Sequence, residues 1–124
     1  MAVYKIFPTQ DTTLYSMYPT MNTGIDEVLE TSLDVNVSPT TSPQASRFLI
    51  QFSSAEITDV INNKIAGATW QSNLRCFVAD VTALNADTSL EVYPISQSWN
   101  MGTGRYGNIP ETQNGASWNW RAYS

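Results

Sequence analysis

The stretch RFLIQFSSAEI, residues 47–57, contains the two clearest structural signals in the sequence. In its first half, Phe48, Ile50 and Phe52 lie two residues apart, so an extended chain would present all three on one face. Leu49 falls on the opposite face, where a second layer of the protein could cover it. The spacing predicts a strand over residues 47–52 that packs against a hydrophobic core.

The second half of this stretch predicts a helix. Ser53 and Glu56 have the Ser-x-x-Glu spacing of a capping box, in which each side chain satisfies a backbone donor beside the other. Apolar residues follow at helical spacing, namely Ile57, Val60 and Ile61. We expect one short helix, at about residues 54–63.

Short β-prone segments occur on both sides of this stretch, and turn-rich segments separate them. Their ranges are 3–7, 12–16, 27–35, 72–82 and 89–95. The run over 72–82 contains Cys76, the single cysteine, which we expect to be a small buried hydrophobic residue. Short strands with one short helix predict an all-β protein, an antiparallel β-sandwich in a single domain over residues 1–124.

Charge and hydropathy argue against two classes of partner. The formal net charge is −5, and the six Lys and Arg residues are scattered, so no basic stripe exists to neutralise phosphates. No segment approaches the ~20 consecutive apolar residues of a membrane span, and the N-terminus has no apolar run of signal-peptide length. We therefore expect no nucleic-acid or membrane partner, and synthesis in a cytoplasm.

A glycine-rich segment has the spacing of a dinucleotide-binding loop. Gly102, Gly104 and Gly107 form G-x-G-x-x-G, which binds a pyrophosphate only where a strand enters the loop and a helix begins within it. The sequence continues with Asn-Ile-Pro at 108–110 and then an Asn-Gly turn signal, so no helix is predicted there. We expect this loop to provide conformation or contact surface rather than a phosphate site.

Five segments carry a resemblance to a known family. They are QDTTLYSMYPTMNTGIDEVLETS (10–32), SRFLIQFSSAEI (46–57), LRCFVADVTAL (74–84), LEVYPISQSWNMGTGR (90–105) and NGASWNW (114–120). In this order the sequence resembles the DNRLRE-type domains, jelly-roll β-sandwiches classed with carbohydrate-binding modules. The resemblance implies a jelly-roll-like sandwich and places residues 101–105 in a long loop between strands.

The sequence departs from that family in two ways. Family members continue for several strands beyond the segment similar to residues 114–121, whereas this sequence ends at Ser124. Members attached to secreted enzymes carry export signals, and none is evident here. The combination suggests a phage virion protein assembled in the host cytoplasm. Either more chain beyond Ser124 or neighbouring copies would then complete the sandwich.

The residue types give little support for an enzyme. Histidine is absent from the sequence, which excludes Ser-His and Cys-His nucleophiles and imidazole metal sites. The carboxylates have no spacing that fixes two of them across a sugar. Asp11 or Asp26 with loop carbonyls could hold a structural Ca²⁺, although no D-x-D-x-D-G loop is present. We expect no catalytic residue and no cofactor.

Aromatic residues crowd the last third of the sequence. The candidates for contact with a glycan or a protein partner are Trp99, Arg105, Tyr106, Trp118 and Trp120. Trp118 and Trp120 would share one face of a strand, where they could stack on sugar rings. Large aromatic side chains more often fill cores and anchor loops, and we favour that interpretation.

The functional hypothesis from the sequence is a non-enzymatic phage virion structural protein. It would be a tail, fibre, neck or capsid-decoration component whose partners are other virion proteins or copies of itself. The alternative is a carbohydrate-binding module that recognises a polysaccharide or a cell-surface glycan.

Overall fold

One antiparallel sheet organises the protein. The computed structural model describes residues 2–34, 44–81 and 89–122. The strands are β1 (Pro8–Tyr15), β2 (Ser32–Asp34) and β3 (Gln44–Phe52). Their order is β1-β3-β2, and both neighbours run antiparallel to the central β3. The strand predicted at 47–52 is therefore confirmed as the centre of the sheet.

The pairing of β1 with β3 contains one irregularity near the start of β1. From Tyr15 back to Gln10 the register is constant, with Thr12 opposite Leu49. It shifts by one residue before Pro8, which pairs with Phe52. Thr9 is the extra residue of a β-bulge at this end, and its hydroxyl donates to the Gln51 carbonyl at 3.2 Å. Proline has no backbone N–H to donate to a ladder, which suits its place at the end of the strand.

The predicted helix is confirmed close to its expected bounds. Helix α1 (Ser54–Asp59) continues into a π-helical turn at Val60–Lys64. Ser53 is the N-cap, and its side chain accepts a hydrogen bond from the Glu56 N–H at 3.2 Å. No residue of α1 is buried, so the helix lies on the surface of the described structure.

The interior of the described residues is polar rather than hydrophobic. The only buried apolar residues there, glycines aside, are Met21 and Ala116. The buried polar residues are Thr12, Thr13, Asn22, Thr23, Ser46 and Ser117. Phe48, Ile50 and Phe52, which the sequence predicts in the core, are only half-buried. The sheet therefore lacks the apolar cover that a closed sandwich would provide.

Several predicted strands are absent from the described residues. Segments 3–7, 72–81 and 89–95 contain no strand, and the segment predicted at 27–35 has only the three residues of β2. Residues 66–81 and 89–98 are all exposed. Cys76 is exposed too, so the expectation of a buried cysteine is wrong. Alternating side chains are not sufficient for a strand, since the backbone also needs a hydrogen-bonded neighbour.

Val35 and Thr82, the last residues of the segments predicted at 27–35 and 72–82, lie outside the described residues. Among the residues that the structure describes, no helix is long and apolar enough to cross a membrane.

Candidate functional site

The side chain of Asn22 holds the best-defined cluster in the protein. Its Nδ2 donates to the carbonyl oxygens of Met101 at 2.7 Å and Ala116 at 2.8 Å. Its Oδ1 accepts from the N–H of Gly104 at 2.8 Å and of Gly24 at 3.3 Å. One fully buried amide thus joins three loops that are far apart in sequence, and all of its hydrogen-bonding groups are used.

Glycines allow these loops to approach so closely. A Cβ at Gly104 would lie 2.1 Å from the Asn22 carbonyl oxygen, and one at Gly24 would lie 2.0 Å from the Met101 oxygen. Gly102 has φ +75°, where a Cβ would also meet Asn114 O at 2.1 Å. The first two glycines of the G-x-G-x-x-G segment therefore pack against Asn22 and its neighbours. No helix begins near them in the described chain.

Threonine hydroxyls connect this cluster to the sheet. Thr23 Oγ1 accepts from the Thr13 N–H at 3.2 Å and donates to the Thr13 carbonyl at 2.7 Å. Thr13 Oγ1 in turn accepts from the Glu30 N–H at 3.1 Å. Because the Asn22 amide and the Thr13 and Thr23 hydroxyls all have partners, these buried groups avoid most of the desolvation cost that unsatisfied groups would bring.

A second cluster contains three tyrosines. The ring of Tyr106 meets Tyr15 and Tyr18 edge-on, with centroid distances of 5.2 and 5.8 Å. The Tyr15 hydroxyl donates to Glu30 Oε2 at 3.2 Å, and Asp26 accepts from the Tyr106 N–H at 3.1 Å. Tyr106 remains 54% exposed because it lies in the loop after Gly104. The partly exposed ring of Tyr106 is thus held by two other tyrosine rings, in a cluster to which the carboxylates of Glu30 and Asp26 are hydrogen-bonded.

Two tyrosine hydroxyls in this cluster hold their protons more tightly than usual. Burial raises the pKa of Tyr15, and the charge and hydrogen bond of Glu30 raise it further. The pKa of Tyr106 is raised first by its side-chain hydrogen bond with Tyr18 and then by burial. Both hydroxyls are therefore neutral donors or acceptors at physiological pH.

Arg105 lies at the rim of the tyrosine cluster. Its guanidinium pairs with Glu27 Oε1 at 2.8 Å, and both side chains are largely exposed. An exposed ion pair of this kind contributes about 0–1 kcal/mol to folding. Arg105 is therefore a surface group that a partner could engage without disrupting the fold.

The three tryptophans of the predicted contact set line one groove of about 230 Å³. Its floor includes Leu14 and Leu49, from one face of the sheet. The walls include Ile95, Trp99, Trp118 and Trp120. The guanidinium of Arg47 lies 5.4 Å from the centroid of the Trp118 ring, within the range of a cation–π contact.

Ser117 also lines this groove and is the unusual residue in it. Its hydroxyl is buried and has no hydrogen-bond partner among the described residues. A buried unsatisfied hydroxyl costs about 1–3 kcal/mol, so such groups often mark a place where another molecule completes the hydrogen bonds. The prediction that Trp118 and Trp120 lie on a strand is wrong, because residues 117–120 form a bend with Ser117 N–H donating to the Trp120 carbonyl.

The predicted contact residues thus divide into two groups. Trp99, Trp118 and Trp120 belong to the groove, whereas Arg105 and Tyr106 belong to the tyrosine cluster. Sequence reasoning missed the roles of Asn22 and Ser117. The Asn-x-Gly spacing at 22–24 was a visible signal for the first, but nothing local identified its distant carbonyl partners.

No three Asp, Glu or Cys residues come together in the part of the chain that the structure describes. Asp26 already accepts a hydrogen bond from the Tyr106 backbone, and Asp11 is in β1 opposite Ile50. A structural Ca²⁺ held by Asp11 or Asp26 together with loop carbonyls therefore stays a prediction from the sequence.

Comparison of the chain with protein-family models, with curated proteins and with solved structures found no match. The resemblance to the DNRLRE-type domains remains a prediction from the sequence.

Proposed function

We propose that this chain is a non-enzymatic structural component of a phage virion, such as a tail, fibre, neck or capsid-decoration protein. Its fold would be a carbohydrate-binding-module-like β-sandwich of jelly-roll type that becomes complete on assembly. One observation carries the proposal. Among its described residues, the chain exposes large apolar side chains along two β-prone segments and buries very few apolar side chains.

Exposed apolar residues occur along much of the described chain, and several of them lie in the segments 72–81 and 89–95. Phe77 is 81% exposed and Val78 is 75% exposed, in a segment whose described residues are all exposed. Val92 and Tyr93 are exposed in the second segment. Single surface hydrophobic residues are common, but contiguous apolar surface usually marks an interaction site. A protein that functions within an assembly accounts for such a surface.

The clusters described above also favour a structural role. The amide of Asn22 and the hydroxyls of Thr13 and Thr23 are used to bind other parts of the same chain. With no histidine in the sequence, no imidazole is present to activate a nucleophile. The polar interior thus supports shape and loop position rather than a reaction.

Glycan binding is the second candidate function, and the tryptophan groove favours it. A groove with indole rings offers the apolar surface on which a sugar ring can stack. Trp118 would provide this contact. This function would also be compatible with a virion protein that contacts a host surface.

The virion proposal is tested on particles from the natural source. Antibodies against the purified chain are applied to phage particles isolated by density gradient, and immunogold labelling locates the chain. We expect it to co-sediment with nuclease-protected DNA and to label one substructure. Particles that contain all their other proteins but lack this chain would refute the proposal.

The glycan alternative is tested by binding measurements on an array of bacterial polysaccharides. A Trp118→Ala variant should lose binding, whereas Trp70→Ala should retain it, because Trp70 is 51% exposed and does not line the groove. Near-UV circular dichroism checks that both variants fold. If wild-type protein binds no glycan, or if both variants bind equally well, the groove is not a glycan site.

A further inference from the structure

We propose that residues 72–81 and 89–95 become β-strands by pairing with the same segments of a second copy of this chain. We call them the donor segments. This inference rests on the proposed function, in which the chain is part of an assembly. It adds the identity of one partner, a second copy of the chain. The shared sheet would bury the apolar side chains that the single chain exposes.

The donor segments have the residue pattern that is typical of strands, but in the described structure they form no strand ladder. Leu74, Cys76 and Val78 alternate with Arg75, Phe77 and Ala79, as expected for a strand with two distinct faces. Val92 and Tyr93 provide β-branched and aromatic character in the second segment. Yet no residue of either segment is in a strand of the described structure, and all are exposed. No strand ladder engages their backbone in the described structure, where the Val81 N–H donates to its neighbour Asp80 Oδ1 at 2.8 Å.

The sheet of the same chain offers these segments little free edge. Thr23 engages both the N–H and the carbonyl of Thr13, which closes the middle of β1. The opposite edge is β2, of which the described residues are Ser32–Asp34. Within the described residues, neither edge offers a donor segment an uninterrupted ladder. The best partner is therefore another unpaired segment of comparable length and pattern.

The accessible surface area points to a large missing interface. The chain exposes 9812 Å², whereas a compact monomer of 13.8 kDa would expose roughly 6,600 Å². The excess is on the order of 3,000 Å² per chain, and obligate homodimers bury about 1,000–2,500 Å² on each partner. A second copy can therefore supply much of the missing contact.

Identical chains supply both halves of such an interface. Each copy carries two unpaired segments, so pairing between copies satisfies the donors and acceptors on both sides at once. This is the self-complementary arrangement of a two-fold dimer, and a closed dimer leaves fewer open edges than a single chain. The half-buried apolar residues of β3 would gain cover from the sheet that forms.

The experiment compares Val78→Asp with Val28→Asp in the full chain. Val78 lies in a donor segment, whereas Val28 is a 58% exposed loop valine, so the two variants have the same charge change. Light scattering measures mass, and hydrogen exchange with mass spectrometry measures backbone protection. Both are recorded at about 1 and about 100 μM protein, a range that spans weak and tight association.

We expect wild-type protein and Val28→Asp to be dimers or larger at the higher concentration, with slow exchange in both donor segments. Val78→Asp should weaken association by roughly tenfold or more, because a carboxylate would be buried in an apolar interface, and its donor segments should exchange quickly. Val78 is exposed in the single chain, where such a change has little effect on stability, so Val78→Asp should fold. Val92→Asp provides an independent variant in the second segment.

Three results would overturn the inference. One is a monodisperse 13.8 kDa monomer at both concentrations. Another is a dimer whose donor segments exchange quickly, and the third is equal association of all variants. If the chain is present in virions but monomeric in solution, this inference fails and the proposed function stands. If dimers form as expected but virions lack the chain, the proposed function fails instead.

Discussion

Asn22 and Gly104 approach each other through both side chain and backbone. The Asn22 Oδ1 accepts from the Gly104 N–H at 2.8 Å, and the place where a Cβ would project from residue 104 is only 2.1 Å from the Asn22 carbonyl oxygen. No side chain fits in that space. The contact therefore requires an amide at one position and glycine at the other, and it fixes the loop after Trp99 against the loop before β2.

Replacement of Gly104 by alanine should destabilise the fold by about 3 kcal/mol, because overpacking against rigid backbone forces the two loops apart. Gly107→Ala is the control. Gly107 has φ +77° but faces open space, so we expect a loss of only about 1 kcal/mol from backbone strain. Urea unfolding at one fixed protein concentration measures both free energies. Equal losses of unfolding free energy in the two variants would show that the contact with Asn22 adds nothing to the cost of replacing Gly104.

An Asn22→Asp substitution should be strongly destabilising at neutral pH, by about 3 kcal/mol, since a carboxylate cannot donate to the Met101 and Ala116 carbonyls. Burial among carbonyls would place the folded-state pKa of the new carboxyl above its unfolded value. The variant should therefore be closest to wild type below the unfolded pKa and lose stability as pH rises through the folded pKa. The measurement is the difference in unfolding free energy from wild type between pH 4 and 7. A difference that does not change with pH, or an equal effect of the exposed control Asn119→Asp, would contradict this interpretation.

Tyr15 should make stability depend on pH in the alkaline range. Burial and Glu30 raise its pKa in the folded state, so its contribution is fully present below the unfolded pKa of about 10 and is lost as pH rises through the folded value. Tyr15→Phe should be less stable at pH 8, since it lacks the hydrogen bond to Glu30, but should lose less stability between pH 9 and 11. Unfolding free energies over that range check the prediction, with the exposed Tyr4→Phe as control. Parallel curves for wild type and Tyr15→Phe would exclude this role.

The sequence was most informative where structure depends on neighbours along the chain. Alternation at 48–52 predicted β3, and the Ser53 to Glu56 spacing predicted the start of α1 at the residue where it begins. Both signals are local, because side-chain alternation and N-capping involve residues one to four positions apart. The same reasoning placed the aromatic residues near one another but could not assign them to two separate clusters.

Features that depend on distant residues were not predictable in this way. The carbonyl partners of Asn22 are about 80 to 94 positions away, and no periodicity encodes such a contact. The described part of the segment predicted at 72–82 alternates as a strand would, yet a strand also needs a free edge to pair with. In the described residues Thr23 occupies the middle of the β1 edge, and β2 spans Ser32–Asp34. Cys76 was misplaced for the same reason, since its burial was inferred from that strand.

Cys76 provides a direct test of the strand that the pattern predicts. In the single chain its thiol is exposed, beside Phe77, whose ring lies 5.1 Å from the Arg75 guanidinium. Paired donor segments would place Cys76 on the same face as Leu74 and Val78, inside the shared sheet. Pulse labelling with a maleimide, read by intact mass, should therefore slow by roughly tenfold between dilute and concentrated protein.

Val78→Asp is the matched control for this labelling, because it keeps the thiol but should remain monomeric. Its Cys76 should react at the dilute wild-type rate at both concentrations. Unfolded protein in urea gives the upper limit of the rate, which separates protection by folding from protection by assembly. If wild-type Cys76 reacts equally fast at both concentrations while light scattering shows dimers, then the dimer forms elsewhere and residues 72–81 remain unpaired in it.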